Sequence, residues 1–309
     1  MPAPLPVRSD VNPVFLLAPA RSCSTVAVAM LSQHPRIYGF PELLLFTAPT
    51  LGEVLHGGGA RSRLPPWWIE NQRSGLVRTV AQLHHGGQDD AATGQALAWL
   101  ERHAHWPSTR LLDHLLDLVH PDVGLEKSPD TVADPQALQR CLEACPDAGY
   151  LHLTRHPLTT MRSMREHWGG MRAGHDQESL SARCAAAWYR SHTAIVTALA
   201  RVPEERRLRV RAEDLLGRPA TELPRILGWL GLEWTDAVLD RMRATQNWPF
   251  AGRGPSQNLY GGDWKFHRDP RLRALPDPGP VGFDESWGIG ENSRRQLVRL
   301  AASLGYERT

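Results

Sequence analysis

The sequence predicts an α/β fold, a three-layer sandwich with a central parallel sheet and a helical insertion. Residues 14–18 form a short unbroken apolar run, typical of a strand buried on both faces of a parallel sheet, and strand character recurs at residues 123–126, 148–154 and 208–211. Two of these runs lead into a turn with small or basic residues and then into helical apolar spacing. This order is that of a strand–loop–helix unit, which favours a parallel sheet covered by helices.

Length and composition limit the function classes. The chain has 309 residues, and we expect one domain over residues 1–309. Its 35 basic and 33 acidic residues give a net charge of +2, which provides no general field for nucleic acid or a membrane surface. No apolar run reaches the roughly 18 residues of a membrane span, and the N-terminus has no signal core. Four cysteines without a disulfide framework predict reduced thiols in a cytoplasmic protein: Cys23, Cys141, Cys145 and Cys184.

The first unit, residues 13–46, reads as strand, turn, helix, second strand and an acidic residue, Glu42. Its turn, residues 19–25, consists of small residues and one arginine, and leads into a helical segment over residues 26–31. Backbone N–H groups, hydroxyls and a guanidinium therefore lie at the positive end of a helix, an arrangement that binds phosphate or sulfate. We predict an anion site at this P-loop-like turn.

The turn departs from the G-x-x-x-x-G-K-[ST] pattern of nucleoside triphosphatases. Ala18 and Cys23 stand where that pattern has glycine, and Ser24 stands where it has lysine. A triphosphatase would therefore lack its main cation for the β and γ phosphates. An ordinary surface turn is the alternative that requires no ligand.

Residues from about 47 to 120 are predicted to form a helical insertion that faces the substrate. We expect a loop over residues 47–66 and three helices, the last capped by Ser108 or Thr109. The helices are expected over residues 75–84, 94–104 and 108–119. The histidines of the insertion form no HExxH motif, so we predict no metal site. Its tryptophans either face an apolar or extended ligand or pack in the core: Trp67, Trp68, Trp99 and Trp106.

A charged phrase, Glu126-Lys127-Ser128-Pro129, lies at the end of the strand predicted over residues 123–126. Open α/β sheets place ligands at the carboxyl ends of their strands. The phrase therefore either approaches the functional site or forms a salt bridge at the end of the strand.

The second strand–turn–helix unit carries Arg155 directly after the apolar run 148–154. Pro157 suits the first turn of the next helix, and Ser163 lies about two turns into it. Arg155 and Ser163 can reach one anion, and the planar fork of arginine holds phosphate in two-point contact.

The rest of the chain is predicted to supply scaffold helices and one loop. The helices are expected over residues 179–202, 219–230 and 293–304, with Gly231 as the C-cap of the second. The loop contains Gly262-Asp263-Trp264-Lys265.

These motifs resemble those of the sulfotransferases that use 3′-phosphoadenosine 5′-phosphosulfate (PAPS). The bacterial free-standing enzymes and the sulfotransferase domains of polyketide synthases are the most similar, and tyrosylprotein sulfotransferases are more distant. Arg21-Ser22-Cys23-Ser24-Thr25 is similar to the R-S-G-[ST]-T loop that holds the 5′-phosphosulfate, with Cys23 in place of glycine. A backbone position that needs a positive φ would make this cysteine costly.

Two further motifs support the resemblance. Arg155 and Ser163 match the R-x7-S signature that clasps the 3′-phosphate. Gly262, Trp264 and Lys265 match part of the R-K-G-x-x-G-D-W-K loop that covers the nucleotide, whereas residues 257–259 have lost its two cations and its glycine. Replacement charges for this loop would come from Arg253, Lys265 or Arg268.

The resemblance implies PAPS as co-substrate, its product phosphoadenosine phosphate (PAP) and no metal. Arg21 would neutralise charge on the bridging oxygen of the leaving group. Glu42 would take the proton of the acceptor hydroxyl, as the matching glutamate does in tyrosylprotein sulfotransferases. His34, His156 and His167 are rivals for this base, and His167 is the strongest of them.

The acceptor is left open: a small molecule, a lipid or a carrier-bound hydroxyl. Sulfation that activates a hydroxyl for elimination is a variant of the same chemistry. Two other classes stay open. One is an ATP-dependent P-loop kinase, and the other is a non-catalytic nucleotide-binding protein in which Cys23 has silenced the chemistry.

Overall fold

A computed structural model of the chain describes residues 13–58, 61–62, 64–171, 177–252, 254, 261–275, 278–283 and 287–306. The strands are β1 (Val14–Leu17), β2 (Ile37–Gly39), β3 (Val123–Glu126), β4 (Gly149–Thr154) and β5 (Arg207–Arg211). The helices of the first half are α1 (Ser24–Leu31), α2 (Leu51–His56), α3 (Pro66–His85), α4 (Asp90–Arg102), α5 (Ser108–Val119), α6 (Pro129–Ala133) and α7 (Pro135–Ala144). Those of the second half are α8 (Pro157–Met171), α9 (Gln177–Leu199), α10 (Ala212–Gly217), α11 (Pro219–Leu230), α12 (Asp236–Met242), α13 (Trp264–Arg268) and α14 (Glu291–Ser303).

The five strands form one parallel sheet in the order β2-β3-β1-β4-β5. β1 lies at its centre, where Val14 pairs with Leu125 on β3 and with Gly149 on β4. The loops that follow β1, β3 and β4 therefore meet at one edge of the sheet, the position at which open α/β sheets bind ligands.

Helices cover both faces of the sheet. In β1, Phe15 and Leu17 belong to a core shared with the insertion helices, whereas Val14 and Leu16 belong to a second core shared with α1 and α11. This alternation follows from the two-residue period of a strand, and burying each such side chain contributes about 2 kcal/mol. The three-layer α/β sandwich with a central parallel sheet is confirmed.

The insertion differs from the prediction in three places. Residues 47–66 are not a continuous loop, because they contain α2, which a capping box of Thr50 and Glu53 begins. A six-residue helix is too short for apolar periodicity to reveal. α3 begins at Pro66 rather than Gly75, and proline suits that first position. The predicted cap of α5 is also wrong, since Ser108 is the first residue of the helix and its hydroxyl donates to the carbonyl of Ala48 at 2.9 Å.

The four cysteines are unpaired thiols, and Cys141 and Cys184 are buried. Within the described ranges, no helix is both long and apolar enough to cross a membrane.

Candidate active site

The loop between β1 and α1 has an unusual backbone. Arg21 and Cys23 both adopt left-handed conformations, with φ of 68° and 64°. Cys23 occupies the N-cap of α1, and its side chain makes no capping hydrogen bond. A left-handed conformation costs a residue with a Cβ roughly 1–2 kcal/mol. The loop therefore holds the strained shape for which glycine is favoured, although it has cysteine at this position.

Arg21 joins three parts of the chain. Its Nη1 lies 2.7 Å from Asp263 Oδ1 and its Nε donates to Ser163 Oγ at 3.1 Å. Its backbone carbonyl accepts a hydrogen bond from Arg155 Nη1 at 2.7 Å. Burial alone would raise the pKa of Asp263, but Arg21 and the backbone N–H of Lys265 outweigh burial and hold this pKa below its usual value. The two predicted phosphate units thus meet at Arg21.

Two polar groups of these units have no hydrogen-bond partner among the described residues. They are the hydroxyl of Ser22, which is fully buried, and Nε of Arg155, which is buried although the residue lines the cleft. An unsatisfied buried donor costs about 1–3 kcal/mol. The orphaned guanidinium nitrogen is therefore suited to an anion that enters the cleft.

Lys127 connects the loop to Glu42. Its Nζ lies 2.9 Å from Thr25 Oγ1 and 2.5 Å from Glu42 Oε1, and its side chain is only 1% exposed. The salt bridge expected at the end of β3 thus exists, but Lys127 pairs with Glu42 and not with the neighbouring Glu126. Thr25 Oγ1 also accepts a hydrogen bond from the backbone N–H of Asp263 at 3.2 Å.

Glu126 and Ser128 hold the turn that carries Glu42. Glu126 Oε1 accepts hydrogen bonds from the Ser128 hydroxyl and, at 3.4 Å, from the N–H of Leu43. Ser128 Oγ accepts a hydrogen bond from the N–H of Leu44 at 2.9 Å. Burial raises the pKa of Glu126 to about 7, although these hydrogen bonds act in the opposite direction. Glu126, Lys127 and Ser128 therefore each position or contact the turn at Glu42.

A cleft of about 840 Å³ opens at this edge of the sheet. It is lined by nearly every residue predicted for the site: Arg21, Cys23, Ser24, Thr25, Glu42, Arg155, Ser163, His167, Gly262, Trp264 and Lys265. Ser22 is buried behind the loop and does not line the cleft. His34 and His156 do not line it either; His34 is held by its backbone partners, the carbonyl of Glu233 and the N–H of Arg36.

The cleft has two chemically different ends. We call one part the loop end. It contains residues of the β1–α1 loop, α1 and α8, together with Arg155 and Asp263, and five residues define it: Arg21, Thr25, Arg155, Ser163 and Asp263. The part formed by Glu42, the insertion and α6 is the insertion end: Glu42, Leu64, Trp68, Asn71, Gln72 and Asp130. Trp99 and Trp106 pack against His84, His103 and His114, and of the four tryptophans considered only Trp68 lines the cleft.

Asp130 was not predicted as a site residue. Its Oδ1 accepts a hydrogen bond from Gln72 Nε2 at 3.3 Å. Burial and the negative charge of Glu42 raise the pKa of Asp130 to about 6, with Arg61 acting against them.

His167 lies between tryptophans of the two walls. Its Nδ1 accepts a hydrogen bond from Trp264 Nε1 at 3.4 Å, and its ring lies 6.3 Å from that of Trp68. Burial, and next the charge of Arg21, lower the pKa of His167. The imidazole is therefore neutral near pH 7, and the Trp264 contact engages the lone pair that a base would use.

The predicted nucleotide loop packs on the site through glycines. Gly261 has a φ of 70°, and a Cβ there would lie 2.4 Å from the Cα of Gly75; a Cβ on Gly75 would lie 2.3 Å from the carbonyl of Glu42. The N–H of Glu42 also donates to the carbonyl of Gly261 at 3.0 Å. Arg253 and residues 257–259 lie outside the described residues. Lys265 pairs with Glu166 at 2.6 Å, and the Arg268 guanidinium lies 5.5 Å from the Trp264 ring.

Sequence reasoning missed three residues of this site. The lysine of the charged phrase was placed near the site without a role, although a lysine at the end of a central strand is a usable signal. Asp130 and Gly75 carry no such signal, because helix packing alone brings them to the cleft and to Glu42. The described residues contain no group of three or more His, Cys, Asp or Glu arranged to hold a metal ion.

Comparisons with known proteins agree with this architecture. The model of the sulfotransferase family matches residues 13–236. The fold is similar to the sulfotransferase domain from the curacin biosynthetic pathway, with a TM-score of 0.72, 20% identity, and coverage of 97% of this chain and 100% of that domain.

Two further structures are similar. For the sulfotransferase domain of the Synechococcus PCC 7002 olefin synthase, the TM-score is 0.70 with 24% identity, over 98% of each chain. For sulfotransferase STF9 from Mycobacterium avium it is 0.56 with 16% identity, over 98% of this chain and 79% of that one. No curated protein matches the chain. Because the family model covers well over half of the sequence, and its residues include both strand–turn–helix units, this chain is an enzyme of the sulfotransferase family.

Proposed function

We propose that the enzyme transfers a sulfuryl group from PAPS to a hydroxyl of a small-molecule, lipid or carrier-bound acceptor. The observation that carries this proposal is the junction at Arg21, where Arg155 and Ser163 of the second unit contact the first loop. The Nε of Arg155, which has no hydrogen-bond acceptor among the described residues, supports the same proposal because a bound anion would provide that acceptor.

The residues of the loop end fit a nucleotide with two anionic groups. The backbone and hydroxyls of Ser24 and Thr25, with the backbone of Ser22 and Cys23, hold the 5′-phosphosulfate at the positive end of α1. Arg155 and Ser163 hold the 3′-phosphate. Gly262 and the first two residues of α13, Trp264 and Lys265, cover the nucleotide.

Catalysis rests on positioning and on charge, as in phosphoryl transfer. Glu42 accepts the proton of the acceptor hydroxyl. The hydroxyl oxygen bonds to sulfur, and the bond between sulfur and the bridging oxygen of PAPS breaks. Arg21 and Lys127 stabilise the charge that the leaving group gains. Lys127 Nζ contacts both Thr25 Oγ1 and Glu42 Oε1, so one buried ammonium group holds the Glu42 carboxylate beside the loop. His167 orients the acceptor beside Trp68.

We further infer that residues 1–309 form a single domain in which the insertion, from about residue 47 to 120, faces the acceptor. The four unpaired cysteines support a cytoplasmic location, since disulfides are rare there.

Thermal unfolding with PAP, beside ATP with magnesium, tests the donor. PAP at a hundred times its Kd stabilises the protein by about 2.7 kcal/mol, a Tm shift of about 4 °C, and ATP does not. Arg155→Ala loses the shift, whereas Arg183→Ala, which removes the same charge from an exposed position on α9, keeps it. Stabilisation by ATP with magnesium would favour the kinase, and PAP binding without transfer to any hydroxyl would favour the non-catalytic protein.

A further inference from the structure

The insertion end of the cleft contains a second carboxylate whose surroundings hold it in place. Gln72 donates from Nε2 to Asp130 Oδ1 and accepts, through Oε1, a hydrogen bond from Arg61 Nε at 3.1 Å. Arg61 is 4% exposed and is fixed in turn by the carbonyl of Val54 at 2.8 Å. A chain of hydrogen bonds from a buried arginine thus orients Asp130.

The surface that an acceptor meets here is acidic. Glu42 and Asp130 both line the cleft, whereas their cationic neighbours, Lys127 and Arg61, do not. With a pKa of about 6, Asp130 is mostly ionised at neutral pH. No side chain other than Gln72 donates a hydrogen bond to it within the described ranges.

The remaining groups of the insertion end are also of a specific kind. Trp68 offers a half-buried ring, and Asn71 and Gln72 offer side-chain amides. A ring surface beside carboxylates and amides matches a compact molecule that has an apolar face and several hydrogen-bond donors. A purely hydrocarbon acceptor would leave Asp130 desolvated without compensation.

We propose that Asp130 is a specificity-determining residue that accepts a hydrogen bond from a second donor group of the acceptor, while the reacting hydroxyl faces Glu42. The preferred acceptors are therefore neutral or cationic molecules with two donors, such as diols and amino alcohols, and hydroxy acids are rejected. This inference rests on the proposed sulfuryl transfer, because it assigns Glu42 to the reacting hydroxyl.

Four alcohols that share a phenyl ring test the proposal: phenethyl alcohol with one donor, phenylethylene glycol with two, phenylglycinol with a cationic second donor, and mandelate with a carboxylate. Their Kd values are measured by calorimetry on the protein saturated with PAP, so no turnover is needed. The glycol and phenylglycinol bind about tenfold more tightly than phenethyl alcohol, and mandelate binds most weakly.

Variants separate the two carboxylates. Asp130→Asn keeps an oxygen that accepts the Gln72 hydrogen bond. We expect the four Kd values to become similar: mandelate binds more tightly than to the wild type, and the Kd of phenethyl alcohol does not change. Glu42→Gln weakens phenethyl alcohol and the glycol alike, because both present a hydroxyl and neither carries a charge that the lost carboxylate attracts or repels. Asp240→Asn, which removes an exposed charge on α12, leaves the ranking as in the wild type.

The proposal is wrong if Asp130→Asn preserves the wild-type ranking, if mandelate binds most tightly, or if no alcohol binds up to its solubility limit. PAP binding is measured separately and first. If PAP fails to bind, the proposed function fails, and the same panel on the free protein still decides the role of Asp130.

Discussion

The two ends of the cleft are built in opposite ways. The loop end is drawn mainly from two strand–turn–helix units that are each local in sequence; it carries the guanidinium groups of Arg21 and Arg155 and is strained, with Arg21 and Cys23 in left-handed conformations. The insertion end is assembled from distant segments, carries two carboxylates and is aligned by hydrogen bonds through Gln72 and Lys127. The difference supports the proposed division of labour, with an anion at the loop end and an acceptor that gives up a proton at the insertion end.

Arg21→Ala breaks the loop end and has the largest expected effect. Turnover falls about a thousandfold, because a preorganised cation that meets developing charge is lost. Unfolding free energy also falls by about 3 kcal/mol, since Asp263 loses the partner of its largely buried carboxylate. Sulfation kinetics and denaturant unfolding measure the two effects. Arg201→Ala, an exposed arginine beyond α9, changes neither; equal losses in both variants would remove Arg21 from the mechanism.

Glu42→Gln breaks the insertion end with a smaller effect. Turnover falls about a hundredfold, at the lower end of the range for general-base catalysis, because glutamine cannot accept the proton. PAP affinity does not fall, since the Glu42 carboxylate contacts Lys127 and none of the groups proposed to hold the nucleotide. Parallel measurement of kcat and of the Kd for PAP checks both. Turnover within a few-fold of the wild type would move the base to another residue of the cleft, Asp130 or His167.

This contrast explains how much the sequence could predict. Both strand–turn–helix units were predicted because each is a local pattern, a strand followed by Arg21 or Arg155 and then a helix, and the pairing of β1 with β4 brings them together. The α/β class and β3, α5 and α11 with their observed bounds followed from apolar spacing. Asp130 and Gly75 could not be found, since their roles depend on how α6 and α3 pack against Glu42.

The Glu126→Gln variant tests the insertion end through the pH dependence of stability. The pKa of Glu126 is about 7 in the folded protein against an ordinary value of 4.5, mainly because of burial. Between these values the folded state retains a proton that the unfolded state loses. The contribution of Glu126 to the free energy of unfolding is therefore largest below pH 4.5 and is lost as the pH rises from 4.5 through about 7.

Glutamine keeps the acceptor oxygen for Leu43 and does not ionise. The variant should therefore lack this decline and exceed the wild type by about 3 kcal/mol above neutral pH. Urea unfolding across this pH range measures the difference. A decline of equal size in both proteins would show that another group is responsible.

The Cys23→Gly variant tests whether the left-handed backbone of the loop end lowers the stability of the protein. Glycine adopts a φ of 64° without the Cβ clash, so unfolding free energy rises by about 1 kcal/mol and PAP binding is retained. Cys23→Ala is the matched control, because it removes the sulfur and keeps the Cβ; it brings no gain. Stabilisation by alanine as well would show that the thiol, and not the backbone, carries the cost.

Glu166→Gln has the smallest expected effect and concerns the cation balance of the loop end. Lys265 is paired at 2.6 Å with Glu166, whose side chain is 65% exposed, and such a pair contributes at most about 1 kcal/mol. The variant therefore unfolds like the wild type, but it frees Lys265 for the nucleotide and tightens PAP binding by about threefold at low salt. The gain disappears at high salt, because an exposed charge is screened, and it is absent when Lys265 is also replaced by alanine. A salt-independent gain, or one that survives the double substitution, would show that Glu166 acts on the nucleotide directly, and the loop end would then contain a repulsive carboxylate of its own.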